Sequence, residues 1–135
     1  KDSDYLWVVD PIDGTINFTK ELLPYCVSIA VLHKDKIVLG IVYSPATKEF
    51  YIAEKNKGAY LNGKKIKVSK ESKMINIMLS TDNSSIPSAR DSNFKLLWKL
   101  CNKIRSSRIF GAGAMALSEI AEGKLDIYCK TKLKF

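Results

Sequence analysis

Asp10, Ile12, Asp13 and Thr15 lie within six consecutive positions, and all four offer oxygen. Two carboxylates, a backbone carbonyl and a hydroxyl are hard ligands. They suit Mg²⁺ or Mn²⁺ and not zinc. Pro11 forces Asp10 away from helical backbone angles, so the segment must turn. Gly14 permits a sharp bend or a close approach of a ligand to the backbone. If residues 15–20 begin a helix, its first amides point at the same spot. A helix start beside a metal is a phosphate site. The chemistry expected is therefore metal-assisted work on a phosphate.

Each residue also has an ordinary use. Asp-Pro and Asp-Gly-Thr are common turn and helix-cap sequences. Singly, each aspartate reads as structural. Together, directly after an apolar run at residues 5–9, they read as a site. Two other uses fail on spacing. A calcium loop starting at Asp10 has Glu21 at its last position, which fits. Its third, fifth and sixth positions are Ile12, Gly14 and Thr15, which do not. An aspartyl-phosphate enzyme needs Asp-x-Asp-Gly-Thr, and Pro11 stands where its nucleophile belongs.

Stepping outward, the run at residues 5–9 predicts a buried strand in a covered sheet, ending at Asp10, where open α/β sheets place ligands. Residues 26–32 and 37–43 predict a hairpin, with His33 in its turn. Residues 49–53 alternate as a half-buried strand. Asn62-Gly63 predicts a tight hairpin between residues 59–61 and 65–68. A strand is expected at 75–80 and a polar loop at 81–91. Residues 93–104 predict a helix with Phe94, Leu97, Cys101 and Ile104 on one face and Trp98 beside it. A short strand at 108–110 leads through Gly111-Ala112-Gly113-Ala114 into a helix ending near Glu122, with Gly123 as its cap. Residues 125–129 predict a last strand. Trp7, Phe94 and Trp98 are assigned to the core. Strands first, then alternating helices and strands, predict a mixed α/β or α+β layered fold.

The 135 residues are 46% hydrophobic and 27% charged, enough for one domain with a modest core and too apolar for a disordered polymer. No apolar run approaches the ~18 residues of a membrane span. The opening Lys-Asp-Ser-Asp has no leader-like apolar core. Three widely spaced cysteines suggest neither a zinc site nor a disulfide framework. A cytoplasmic location is expected. The single His33 argues against histidine catalysis. The net charge of +8 fits nucleic acid as a sharp reading and anionic substrates as a milder one. The lysines thicken at residues 55–73 and at Lys130, Lys132 and Lys134, but without interleaved aromatics, so no nucleic-acid partner is expected. The lysines of 55–73 read as a solvated hairpin. The chain has no initiator Met, and residues 125–135 read as a strand and the turn after it, so a piece of something longer is expected.

Residues 7–18, Trp-Val-Val-Asp-Pro-Ile-Asp-Gly-Thr-Ile-Asn-Phe, closely resemble the signature of the inositol monophosphatase family. Further resemblances follow in order: Gly40-Ile-Val-Tyr-Ser-Pro45, Gly58-Ala-Tyr-Leu-Asn-Gly63, Gly111-Ala-Gly-Ala114 and Ala121-Glu-Gly-Lys-Leu-Asp126. The resemblance implies a Mg²⁺-dependent phosphatase with an alternating α/β/α/β/α layered fold and two or more ions per site; Mn²⁺ is an alternative. It implies that Asp10 bridges two ions, the Ile12 carbonyl binds the first and Asp13 the second. It implies that the Gly14 and Thr15 amides hold the phosphate and that the Thr15 hydroxyl orients the attacking water. Gly111 and Gly113 would let the substrate approach the backbone, although a tight turn feeding a helix explains them equally. Asp126 matches a family position but reads as structural. Residues 1–135 would be a partial domain: the metal-site half and the start of the α/β half.

The resemblance also marks departures. The family's acidic motif before the signature and its Trp-Asp motif after the last strand are not in this sequence. The isolated chain is therefore expected to bind metal weakly and hydrolyse little. Where inositol phosphatases carry a Glu, this chain has Lys130. That lysine reads either as a solvated strand-end residue or as a contact for a second anionic group. Inositol monophosphate is the first substrate expected. 3′-Phosphoadenosine 5′-phosphate and fructose 1,6-bisphosphate are alternatives, and a non-catalytic phosphate-binding protein on the same scaffold is an alternative of another class. A homodimer is a further implication.

Overall fold

A computed structural model describes residues 3–83 and 86–131. Lys132, Lys134 and the turn expected after the last strand lie outside the described residues.

Six strands form an antiparallel sheet in chain order: β1 (Tyr5–Asp13), β2 (Cys26–His33), β3 (Lys36–Ser44), β4 (Glu49–Glu54), β5 (Gly58–Leu61) and β6 (Lys64–Lys65). Short turns join neighbours from β2 onward, and β1 reaches β2 through α1 (Thr15–Thr19). The hairpin at His33 forms as expected, with His33 opposite Lys36. The turn at Asn62 and Gly63 also forms, with both residues at positive φ.

The second half builds a parallel sheet in the order β8-β7-β9, from β7 (Met78–Thr81), β8 (Ser106–Ile109) and β9 (Ile127–Cys129). α2 (Pro87–Leu100) connects β7 to β8, and α3 (Gly113–Glu122) connects β8 to β9. Parallel neighbours need such crossovers. The mixed α/β class is as expected.

Two apolar clusters hold the halves. Cys26, Tyr51, Ala112 and Met115 pack α3 against the antiparallel sheet. Ile77, Leu79 and Ile104 pack α2 and its following turn against the parallel sheet, with Leu97 and Leu100 at the margin. Tyr51 also donates from its hydroxyl to Glu122 Oε2 at 3.1 Å, and Lys124 bridges Glu122 at 2.8 Å and Glu49 at 3.5 Å. These tie the end of α3 to β4.

Several expectations are corrected. β1 is not a covered strand: its residues from Tyr5 to Val9 are all more than half exposed. Among the described strands it pairs only with β2, so it is an edge of this sheet. Trp7 at 62% and Trp98 at 80% exposure are not core, and Phe94 is exposed too. The reason for the last two is the position of α2. It starts at Pro87, inside the expected loop, because proline suits the first turn and Ile86 before it is extended. Ala89 and Asn93 are its buried residues, which turns Phe94 and Trp98 outward. Apolar spacing found the inner face only in part: Leu97 and Ile104 pack against the parallel sheet as expected, while Phe94 and Cys101 are exposed, because a buried polar residue, Asn93, shares that face. The expected strand at 75–80 begins with a 3₁₀ turn at Met74–Asn76. β6 stops at Lys65, although Ile66 still packs against the core. The last strand begins at Ile127; Asp126, just before it, accepts the Met78 amide at 2.7 Å and so ties the start of β9 to the start of the central strand β7. That supports the structural reading of Asp126.

Candidate functional site

The motif sits in a β-bulge. Asp10 pairs with Ser28 and Asp13 with Cys26, so three steps on β1 face two on β2. In a regular strand, residues three apart point to opposite faces. The extra residue removes that mismatch, and bulges serve to re-aim side chains in this way. Pro11 is tolerated because it lies at the bulge of an edge strand. Asp10 thus does not end its strand; β1 continues to Asp13.

Local hydrogen bonds set the loop. Asp10 Oδ1 accepts the Ile12 amide at 3.2 Å, and the Thr15 hydroxyl donates to the Ile12 carbonyl at 2.8 Å. Gly14 adopts φ 82°, and a Cβ there would stand 2.8 Å from the Pro24 carbonyl oxygen and 3.1 Å from Ala112 Cβ. Glycine is required both by conformation and by the approach of the second half.

Long-range bonds bring that second half in. Asp13 Oδ2 accepts the Ala114 amide at 2.7 Å, across 101 residues. Ala112, the N-cap position of α3, makes no side-chain cap of its own, so Asp13 satisfies one of the open donors of this helix. Asn17 Nδ2 donates to the Pro24 carbonyl at 2.8 Å and to the Phe110 carbonyl at 2.7 Å. Gly111, at φ 70°, sits against the same Asn17 side chain. The Cys26 thiol lies 3.9 Å from Asp13 Oδ2. Burial, then the charges of Asp13 and Asp10, push this thiol up to about 12.

The other wall lies at the carboxyl ends of the parallel strands. β7 is central: the α2 crossover runs from β7 to β8 on one side, and the α3 crossover returns from β8 past β7 to β9 on the other. That is a topological switch point, where open α/β sheets bind ligands. The rule applies to this sheet, and not to the antiparallel sheet that carries Asp10. Asp82 follows β7, Gly111 and Gly113 follow β8, and Lys130 follows β9. Asp82 Oδ2 accepts the Tyr128 hydroxyl at 2.6 Å and pairs with Lys130 Nζ at 3.3 Å. Burial, then the Asp82 carboxylate and more weakly Asp13, raise the Tyr128 hydroxyl above the usual tyrosine range. A Cβ on Gly113 would stand 2.9 Å from the Tyr128 hydroxyl and 3.5 Å from Asp82 Oδ2. The Gly113–Ala114 backbone therefore runs between Asp13 on one side and the Asp82 cluster on the other.

Asp10, Asp13 and the Ile12 carbonyl form an all-oxygen donor set, which fits a hard divalent cation. Asp13 offers Oδ1 for this, since Oδ2 holds α3. Among the described residues, no group of three or more His, Cys, Asp or Glu side chains is placed to hold a metal. Water and substrate oxygen would complete the shell.

The expected residues Asp10, Ile12, Asp13, Gly14 and Thr15 share the bulge and the turn after it; Gly111 sits against Asn17 of the same motif, and Gly113 against Tyr128 and Asp82. Lys130 is not a solvated strand-end lysine; Asp82 holds it. Sequence reasoning missed Asp82, placed in a polar loop, and the roles of Tyr128, Asn17 and Cys26. Only Asn17 carried a signal, since it lies inside the motif.

The sequence profile of the inositol monophosphatase family matches residues 1–135. The chain belongs to the inositol monophosphatase family. It is 36% identical over 124 residues to inositol monophosphatase 2 of Solanum lycopersicum, covering 90% of this chain and 47% of that protein. It is 34% identical over 125 residues to the fructose-1,6-bisphosphatase/inositol-1-monophosphatase of Thermotoga maritima, covering 93% and 47%. The solved inositol monophosphatase of Anabaena (Nostoc) sp. PCC 7120 superposes with a TM-score of 0.82 at 30% identity, covering 93% of this chain and 50% of that one. The chain spans about half the length of the curated relatives it matches. Within the described residues the inositol monophosphatase fold is therefore present as one antiparallel sheet and the parallel sheet beside it. No helix among the described residues is long and apolar enough to cross a membrane.

Proposed function

We propose that this chain is the metal-site half and the start of the α/β half of a Mg²⁺-dependent phosphomonoesterase acting on a small phosphorylated substrate, inositol monophosphate first. One observation carries the reading: Asp10 and Asp13 flank a bulge in β1, and Asp13 accepts the Ala114 amide beside the switch point of the parallel sheet. When bound, divalent ions supply an acidified water and offset charge on the phosphoryl oxygens. Asp10, Asp13 and the Ile12 carbonyl would hold them, with Mn²⁺ as a substitute. The Gly14 and Thr15 amides hold the phosphate. The Thr15 hydroxyl, fixed by Ile12, presents its oxygen to the attacking water and orients it. Gly111 and Gly113 would let the substrate approach their backbone.

The name of the Thermotoga maritima relative supports fructose 1,6-bisphosphate as a second substrate class. The test is Mg²⁺-dependent phosphate release from inositol 1-phosphate and fructose 1,6-bisphosphate, with calorimetric binding of both in Ca²⁺ read alongside. Asp13→Asn is the control. Low turnover is expected of the 135-residue chain, with metal-dependent binding that Asp13→Asn weakens. Binding that ignores metal and Asp13 would overturn the reading.

A further inference from the structure

Asp82 is the least accounted-for charge in the molecule. Its side chain is 7% exposed, while Lys130 beside it is 29% exposed. Burying a carboxylate is costly unless charge and hydrogen bonds compensate it. Here Oδ2 takes both the Tyr128 hydroxyl and Lys130 Nζ, whereas Oδ1 is buried with no hydrogen-bond partner among the described residues. Asn93 Nδ2 already binds the Asp82 carbonyl at 2.9 Å, so the chain after β7 is anchored through its backbone. The Thr131 amide is likewise held by Asn93 Oδ1 at 2.8 Å. The carboxylate and the lysine are left to act on each other and on what enters the crevice.

That crevice is the one described above. Asp82 and Lys130 follow adjacent strands at the switch point, and Asp82 lies within contact distance of a Cβ on Gly113, one residue from the amide that holds Asp13. A free lysine there would attract a second phosphate. Lys130 is not free. We infer that Asp82 is a specificity-determining residue: by neutralising Lys130 at the switch point it leaves the far end of the site uncharged, and so selects substrates that carry a single phosphate and a polar, neutral remainder over bisphosphates. This inference rests on the proposed phosphatase reading of the same site.

The charge logic orders three proteins. Lys130→Met leaves Asp82 uncompensated and adds one negative charge to the wall. The native pair is neutral. Asp82→Asn keeps the shape, keeps an acceptor for Tyr128, and releases the positive charge of Lys130. Coulomb interactions at these separations change affinity for a dianionic group by about tenfold or more per unit charge. Binding of inositol 1-phosphate and of fructose 1,6-bisphosphate is measured by calorimetry in Ca²⁺ for all three. The affinity ratio of bisphosphate to monophosphate is expected to rise from Lys130→Met to the native chain by about tenfold, and again to Asp82→Asn. Raising salt should compress the series, because the effect is electrostatic. If Asp82→Asn does not fold, Asp82→Ser takes its place, because it too removes the carboxylate and leaves Lys130. A ratio that stays flat while both ligands bind overturns the inference and leaves the phosphatase reading intact. A native chain that binds neither ligand with metal present overturns both. A purely structural role for Asp82 would weaken both ligands together without moving their ratio.

Discussion

The two sheets reach order by different routes. In the antiparallel sheet, from β2 to β6, each strand pairs with the next one along the chain through a short turn. Its contacts are local and its burial is shallow, most of all at β1. The parallel sheet has three short strands, and both its connections are helices. Its interior holds Leu79 and Ile77, but also Ser80, Thr81, Asp82 and Asn93, all buried. The first region is held by turn chemistry and pairing, the second by packing and by a buried polar network. The candidate site lies where they meet. Asp13 and Asn17 come from the first region, and the groups they bond, Ala114 and Phe110, from the second.

That contrast can be broken by substitution. Leu79→Ala empties a 1%-exposed position and is expected to cost about 3 kcal/mol in urea unfolding, whereas Val8→Ala in β1 should cost under about 1 kcal/mol. Equal costs would erase the distinction between the sheets. Asn93→Ala removes the donor to the Asp82 carbonyl and the acceptor for the Thr131 amide and hydroxyl. A loss of about 2 kcal/mol is expected, since buried partners are left unsatisfied. Asp13→Ala strands the Ala114 amide, at an expected cost of about 1 kcal/mol, and amide exchange at Ala114 should accelerate ahead of the rest of α3. Unchanged exchange at Ala114 would show that Asp13 does not join the regions.

The cysteines sharpen the contrast chemically. Cys26, at the junction, holds its proton up to about 12, while an unfolded thiol loses it near ~8.5. Between those values the unfolded chain binds fewer protons, so stability falls as pH rises. Cys26→Ala should flatten that part of the pH–stability curve. Alkylation at pH 8 followed by mass spectrometry should modify exposed Cys101 and spare Cys26 until urea is added. The smallest effect is expected at Trp98→Ser, within about 0.5 kcal/mol, because the ring is mostly in solvent.

What could be read in advance follows the same division. The hairpins at His33 and Asn62-Gly63, the helix ending at Gly123, and the cluster from Asp10 to Thr15 all rest on local backbone demands. Positive φ, a missing amide and a tight turn are written in single residues. The face of α2 was legible only in part: Leu97 and Ile104 pack inward as expected, but Asn93 is polar and buried, and hydrophobic periodicity has no symbol for that. β1 was misplaced for the opposite reason: an apolar run looks buried whether or not anything covers it. Asp82 was invisible because its partners, Tyr128 and Lys130, lie more than forty residues away.

The sequence by itself determined that oxygen-bearing side chains cluster within residues 10–15, that glycines permit the bends around them, and that strands precede alternating helices and strands. These depend on dihedral limits and on ligand chemistry, which act within a few residues. Only the tertiary structure decided that Asp13 caps α3, that Asn17 carries Phe110 to the loop, and that Asp82 silences Lys130. Those pairings join groups tens of residues apart. Their energy depends on burial and distance, which no local pattern records.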